Sequence, residues 1–484
     1  MRKRFEEQHK VGLKLISETK VSVKSRDDFP AVVATLKEIF TNRNYNEQIF
    51  SILEEKIMKG KKKTGRTGLT LWQIFVLAQI RLGLNIDYDR LEMMVNNNST
   101  LRQLLGIEYI SDINYIEISR QRIVDNVSLL DDNTLKKLNE VIIELGYNVF
   151  KKKGKAVFCL KTDSFVIESN VHFPTDYNLL WDSVRKTLDI IDKYKSKYSE
   201  TKDWRKSKNW RKSLRNLSRA LGKASASRGK GRNKKIKIAA NEYLTKANAL
   251  LSKLEKSIPA LIISDTKDLT AIKSLKYFTA LLDKHIDLVE RRLLKDEIIP
   301  HEDKMFSIFE TYTEWISKGK INKKVELGKR LSITTDQYGL IIDYHLHENI
   351  TDSEIVSDIA KRIFDKYEVD TWSFDKGYWH KDNKELLKDK VRKLIMPKKG
   401  KLNKNEKEEE QGDEFKKYRR KHSAVESNIN ELEHRGLDRC PDRGYTSFKR
   451  YIGIGITAYN LHKIGRQIIK DKRVAEDKLF KLRA

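Results

Sequence analysis

The sequence predicts a mixed α/β protein in which a long helical insertion splits the strand-forming segments and an all-helical region precedes them. Three observations carry that expectation. Residues 1–150 hold apolar side chains at helical spacing and no strand-like run. Short apolar runs of β type then appear near 157–167, 330–346 and 369–374. Between the first and second of these, from about 177 to 320, the chain is charged and periodic in Leu and Ile, as surface helices are.

In the N-terminal region Leu71, Ile74, Phe75, Leu77, Ala78 and Leu82 mark one helix, which Gly83 ends. Asp87 can cap a second helix carrying Leu91, Met94 and Val95, and a third, short one runs from Thr100 through Leu105. Two helices around a Gly-containing turn are compatible with helix-turn-helix DNA binding, and also with an ordinary small bundle. The pattern changes at Gly154. Residues 157–160 are apolar, and Phe165, Val166 and Ile167 prolong the extended character. Pro174 and Asp176 open a helix, and periodic segments follow around 178–199, 203–221, 233–256 and 266–297.

Residues 330–335 and 340–346, joined by Asp336, Gln337, Tyr338 and Gly339, read as a hairpin. Asp352 then stands where it can cap a helix of about 14 residues through Ile355, Ile359 and Ile363. Residues 369–374 form a further strand. The stretch from Lys398 to Lys417 is so rich in Lys and Glu that a flexible loop is expected. Helices through Glu426 and over 451–469 close the chain. The expected segments are therefore 1–150 (helical, binding DNA ends), 151–177 (first part of the α/β core), 178–323 (basic helical insertion), 324–470 (second part of the core) and 471–484 (basic tail).

A hydrophobic content of 39% is enough to build real cores, and 484 residues argue for more than one compact unit. Lys and Arg number 98 against 69 Asp and Glu, a formal net charge of +29 that argues for a polyanionic partner, nucleic acid above all. The two cysteines, Cys159 and Cys440, have no CxxC spacing, so neither a zinc site nor a disulfide framework is suggested. Polar residues follow Met1-Arg2-Lys3-Arg4, so no signal peptide is expected, and no apolar run is long enough to span a membrane. The expectation is a soluble, intracellular chain.

Three acids stand in separate contexts. Asp163 ends the run from Val157 through Thr162, and Asp375 follows Trp372-Ser373-Phe374, as carboxylates do at the tips of buried strands. Glu426 lies on an expected helix beside Arg419, Arg420, Lys421 and His422. Brought together, three such carboxylates make an oxygen-rich site for two Mg²⁺ ions and hence for phosphoryl transfer. On spacing alone, a lone Asp at a strand end reads as a turn or cap residue. Glu168, Asp176, Asp336, Asp343 and Asp352 compete; Asp176 and Asp352 read as helix caps, and Asp343 as a fourth candidate ligand.

These residues carry a resemblance. The chain resembles the DDE transposases of bacterial insertion sequences, most closely the ISNCY group. The matching phrases are Lys161-Thr162-Asp163-Ser164, Pro174-Thr175-Asp176-Tyr177-Asn178-Leu179-Leu180, Asp375-Lys376-Gly377-Tyr378 and His422-Ser423-Ala424-Val425-Glu426-Ser427-Asn428-Ile429. The tract from Gly436 to Asp442 and the ending Ala458-Tyr459-Asn460-Leu461-His462 extend the likeness, which runs from about residue 66 to 470. The resemblance implies an RNase H-like core and a catalytic, metal-binding triad of Asp163, Asp375 and Glu426. It also implies Mg²⁺ (or Mn²⁺) as cofactor, and a partner in double-stranded DNA, both terminal inverted repeats and target. A homodimer is expected to hold two ends, in the cytoplasm of a bacterium or archaeon, at the nucleoid. Some relatives place Tyr, Arg, Glu and Lys at fixed offsets around the catalytic Glu; here those offsets hold Arg419, His422, Glu426 and Glu433.

Charge supplies the remaining candidates. From Lys193 to Lys237 there are 18 Lys or Arg and two acids, Glu200 and Asp203, with Trp204 and Trp210 interleaved. Lys206, Arg211, Arg215, Arg228, Lys230, Arg232, Lys234 and Lys235 are the expected DNA-backbone contacts of this insertion, with Arg228, Lys230 and Arg232 on a mobile glycine-rich loop. Lys376, Arg419, Arg420 and His422 are expected to contact DNA beside the acids. Trp379 can stack on an unpaired base or simply pack. Two alternatives stay open: a transposase-derived DNA-binding protein without catalysis, and an RNase H-like nuclease acting on structured DNA.

Overall fold

The computed structural model describes residues 2–7, 14–60, 68–107, 116–151, 157–198, 204–317 and 325–483. Gly154, where the pattern change is expected, and Glu200 and Asp203 of the basic run lie outside the described residues. The chain divides into two compact units, Met1–Asn170 with Ile316–Ala484, and Val171–Trp315.

The first unit begins with helices α1 (Phe29–Thr41), α2 (Arg43–Ile57), α3 (Leu71–Gly83), α4 (Tyr88–Asn97), α5 (Ser99–Leu104), α6 (Arg120–Val127) and α7 (Asp132–Val149). Side-chain caps set many of their starts. Asn42, Asp87, Asn98 and Asp131 each accept a backbone N–H of the first turn, and Thr70 with Gln73 forms a capping box. Helix α3 is buried along almost its whole length, so it serves as core. Strand β1 (Phe158–Ser169) follows and carries Asp163.

The second unit is a helical bundle of α8 (Asp176–Lys197), α9 (Ser207–Ala226), α10 (Arg232–Ser257) and α11 (Thr266–Leu293). Leu188, Leu214, Tyr243, Leu250 and Leu282 are fully buried and form its own core. Thr175 caps α8 and Asp265 caps α11. The charged sequence is thus the solvent side of amphipathic helices whose apolar stripes meet one another.

The chain returns through β2 (Glu314–Ser317), β3 (Val325–Thr335), β4 (Ile341–Leu346), α12 (Val356–Phe364), β5 (Val369–Phe374), α13 (Lys381–Lys388) and β6 (Lys393–Ile395). Then come α14 (Lys404–Gln411), α15 (Asp413–Leu432), the short β7 (Arg439–Cys440) and α16 (Tyr445–Arg483). The strand order is β2-β3-β1-β5-β6, with β4 paired to β3 and β7 to β1. Strand β1 runs antiparallel to β3, with Asp163 opposite Ile333, and parallel to β5, with Thr162 opposite Phe374. Phe158, Leu160, Trp372 and Phe374 on one sheet face join Ile355, Ile359 and Ile363 in a single core. Among the described residues no helix is long and apolar enough to cross a membrane.

Two local expectations are corrected. The helix expected to start at Asp352 starts at Val356, because Asp352 is drawn to Arg330 (3.1 Å) on β3 instead of capping. The stretch from Lys398 to Lys417 is largely helical. Asn403 and Glu406 form a capping box for α14, and its Lys, Glu and Gln are good helix formers. No residue of α14 is buried, so no apolar period revealed it in the sequence.

Helix α16 runs against α1, α3 and α7, which ties both ends of the chain into one packed body. The contact requires glycine at 465, where a Cβ would fall 1.8 Å from the Ala31 carbonyl oxygen. Gly465→Ala is therefore expected to cost about 1–3 kcal/mol through overpacking, measured by urea unfolding. An unchanged midpoint would contradict this close approach.

Candidate active site

Alternation along a strand decides which side chains meet. Leu160 and Thr162 of β1 face the same core as Trp372 and Phe374 of β5, all four at 1% exposure or less. Lys161 and Asp163 therefore point to the opposite face, as does Ser373, and Asp375 is the next residue in that alternation. Parallel pairing of Lys161 with Ser373 and Thr162 with Phe374 brings Asp163 and Asp375 to neighbouring strand positions. Asp375 then leads into a single 3₁₀ turn, Lys376–Tyr378. Glycine at 377 fits because a Cβ would lie 2.9 Å from Asp352 Oδ2. Tyr378 is fully buried, its hydroxyl 2.6 Å from Ser332 Oγ, which in turn lies 2.8 Å from His347 Nε2. That chain of buried hydrogen bonds fixes the turn from below.

Helix α15 covers this face, lying against β1, β5 and β6. Its buried residues Phe415, His422, Val425 and Leu432 follow helical spacing. His422 Nδ1 bonds Ser373 Oγ at 2.9 Å. Burial, and after it the Arg419 charge, hold the His422 pKa down at about 4, so the imidazole is neutral near pH 7. Glu426 lies one turn further on, exposed. Arg419 donates to Asp375 Oδ1 and to the Phe374 carbonyl, both at 3.2 Å.

The electrostatics single out Asp163. Burial pushes its carboxyl up to about 7. A 2.7 Å bond from the Ser164 N–H opposes that rise, and the charges of Asp375, Asp352 and Glu426 add to it. Among the described residues no Lys or Arg closes an ion pair with Asp163. Nor do three His, Cys, Asp or Glu side chains there already close on one point as a metal cluster. A half-buried carboxylate repelled by three others and paired with no Lys or Arg among the described residues is the donor chemistry that a hard divalent ion compensates, so the residues fit such an ion.

The competing acids have other partners. Asp343 is held in a fork by Arg362 at 2.9 and 2.7 Å, on β4, separated from β1 by β3. Asp336, fully buried and pushed up to about 6 by burial, accepts the Tyr338 and Leu340 N–H groups of the hairpin turn. Asp176 lies in the first turn of α8, where Thr175 is the cap, and pairs with Arg292. Asp352, read from the sequence as a cap, instead contributes to the field at Asp163. Only its pairing with Arg330 across the fold reveals this, and no local pattern carries that signal.

The basic residues divide by exposure. Lys376 and Arg420 are exposed beside the acids, whereas His422 is buried and anchors α15. In the second unit Lys206, Arg215, Arg228, Lys230, Lys234 and Lys235 are exposed. Arg211 is engaged by Asp189 (2.8 Å) and Asp192 (3.1 Å), and Arg232 donates to the Ser225 carbonyl at the end of α9. Trp204 is buried with its Nε1 donating to Ser257 Oγ, so it is core.

Asp163 gives a stability test with a definite sign. Its folded carboxyl titrates near 7 and its ordinary value is 3.8, so the folded state holds an extra proton between those values. Stability falls as pH rises through that window and stays lower above it. In chelator, Asp163→Asn should melt higher than wild type at pH 8, with the gap closing toward pH 4. A wild type as stable as the variant at pH 8 would contradict the half-buried, uncompensated carboxylate.

Residues 294–461 match the family model described as the transposase DDE domain. That span holds Asp375 and Glu426 and begins beyond Asp163. No curated protein and no solved structure matches the chain. The match to the DDE domain supports a DDE transposase family for this chain and a transposase function in general terms.

Proposed function

We propose that the protein is a DNA transposase of the ISNCY group that cleaves at the inverted-repeat ends of an insertion sequence and joins the freed 3′ ends to target DNA. One observation carries the reading: parallel strands bring Asp163 beside Asp375, and α15, the helix that carries Glu426, packs against both of those strands. The sheet is then the RNase H-like core, a reading supported by the succession of first strand, antiparallel hairpin, helix and parallel strand.

Asp163, Asp375 and Glu426 would hold Mg²⁺, or Mn²⁺ in its place. Such ions supply activation of water and neutralisation of the leaving oxygen. The protein's own part is positioning. The buried turn through Tyr378 fixes Asp375, and the His422–Ser373 bond fixes the helix that carries Glu426. Arg419 holds Asp375 and can turn to a phosphate once that carboxylate is otherwise engaged. Lys376, Arg420 and Lys421, exposed around the acids, neutralise backbone phosphates. In the second unit the exposed face of α9, with Lys208, Lys212, Arg215, Arg219 and Lys223, spans about 22 Å at the helical rise. With Arg228 and Lys230 it presents a DNA-backbone surface that positions without reading sequence. Holding two ends calls for a homodimer.

Labelled DNA from the ends flanking the gene, incubated with Mg²⁺, tests the reading. Wild type should nick at the ends and join them to a second DNA, and Asp375→Ala and Glu426→Ala should reduce both products to background while still binding DNA. Identical products from wild type and variants would overturn the triad. Cleavage without joining would make the protein a nuclease.

A further inference from the structure

The turn that carries Asp375 continues into Trp379, and Trp379 lines a cleft of about 310 Å³ with Met396 and Phe415. Of the three lysines on its walls, Lys381 is exposed, and Lys384 and Lys398 are half-buried. Neither of the latter two faces water alone. Lys398 Nζ holds both carboxylate oxygens of Glu406 at 2.7 and 2.8 Å, and its backbone N–H donates to Glu410 Oε1 at 2.8 Å. Lys384 Nζ meets Glu409 Oε2 at 2.8 Å. All three glutamates belong to α14, whose sequence Lys404-Asn405-Glu406-Lys407-Glu408-Glu409-Glu410-Gln411 holds four acids in eight residues.

Helix α14 has no apolar hold on the cleft, since none of its residues is buried. Its side chains cross the cleft through ion pairs that are partly exposed, which are weak and fade with salt. Gly400, in the left-handed region at φ +102°, precedes it, and the single residue Gly412 separates it from α15. The arrangement is a strap of anionic oxygens laid over two lysines and an indole, next to the candidate active site. Carboxylate and phosphate oxygens ask the same of an ammonium group. An aromatic face beside two cations also suits a nucleic-acid strand.

We propose that this cleft is a DNA-strand subsite. Lys384 and Lys398 bind two backbone phosphates, and the glutamates of α14 occupy the lysines until DNA displaces them. The choice of DNA as ligand rests on the transposase reading above. The strap lowers affinity for DNA that does not fill the cleft, and so favours substrates already engaged beside Asp375.

The test uses the full chain and a labelled random-sequence duplex, titrated by fluorescence anisotropy over a range of KCl. The variant Glu406→Gln/Glu409→Gln/Glu410→Gln removes the anions and keeps the capping box, since Gln serves at that position. A control, Asp471→Asn/Glu476→Gln/Asp477→Asn, removes the same charge from the end of α16. The strap variant should bind several-fold tighter than the control. Its slope of log affinity against log salt should steepen by about 1.8, or about 0.9 for each of two added phosphate contacts. Adding Lys384→Gln and Lys398→Gln should abolish the gain. Equal affinities of strap and control variants, or a gain that survives loss of both lysines, would overturn the subsite. Failure of every form, wild type included, to bind DNA would instead sink the transposase reading. Binding is scored without cleavage, so an inactive triad would leave this result standing.

Discussion

The indole N–H of Trp372 donates to Thr162 Oγ1 at 2.8 Å, and Thr162 Oγ1 lies 2.8 Å from Thr334 Oγ1. These buried bonds cross β5, β1 and β3 in one line, and the candidate site depends on the register they hold. A slip of one residue would turn every side chain of a strand to the other face. Asp163 or Asp375 would then enter the apolar core, and Thr162 or Phe374 would meet the covering helix. Trp372 and Phe374, stacked at 4.9 Å and fully buried, make such a slip costly. Because the polar atoms of Trp372 and Thr162 satisfy one another only in this register, the core selects it as well as tolerating it.

Against that rigid base the acids are held under electrostatic tension. The chain carries a net charge of +29, yet it gathers Asp163, Asp352, Asp375 and Glu426 within one field. Arg419 relieves Asp375 and Arg330 relieves Asp352, while Asp163 is left to burial and repulsion. Such an arrangement sacrifices stability at the position where the proposed triad would receive a cation. The same opposition of charges recurs at the cleft under α14, where glutamates cover lysines instead of cations covering acids.

Much of this was legible in the sequence because it is local. The strand end at Asp375, the hairpin turn at Asp336 and the cap at Asp87 each follow from a few neighbouring residues, and the structure has them. Asp163, expected at a strand tip, instead lies inside β1, because pairing with β3 carries the strand on to Ser169. What escaped depends on distant partners. Asp352 has the look of a cap, and only Arg330, from a strand ahead of it in the chain, draws it away. His422 reads as one more cation in the run Arg419-Arg420-Lys421, but α15 turns it inward onto Ser373. Trp204, among lysines in the sequence, is core because α9 and α10 bring apolar stripes around it. Helix α14 was missed for the opposite reason, since it buries nothing and its signal lies in propensity and a capping box alone.

The most direct measurement is anomalous X-ray scattering from crystals grown with Mn²⁺. The account predicts a peak about 2.1 Å from carboxylate oxygens of both Asp163 and Asp375, with Glu426 turned toward it and Arg419 released from Asp375. A map with no peak between the two aspartates, and Arg419 still on Asp375 at saturating Mn²⁺, would contradict the claim that these acids form one metal-dependent site.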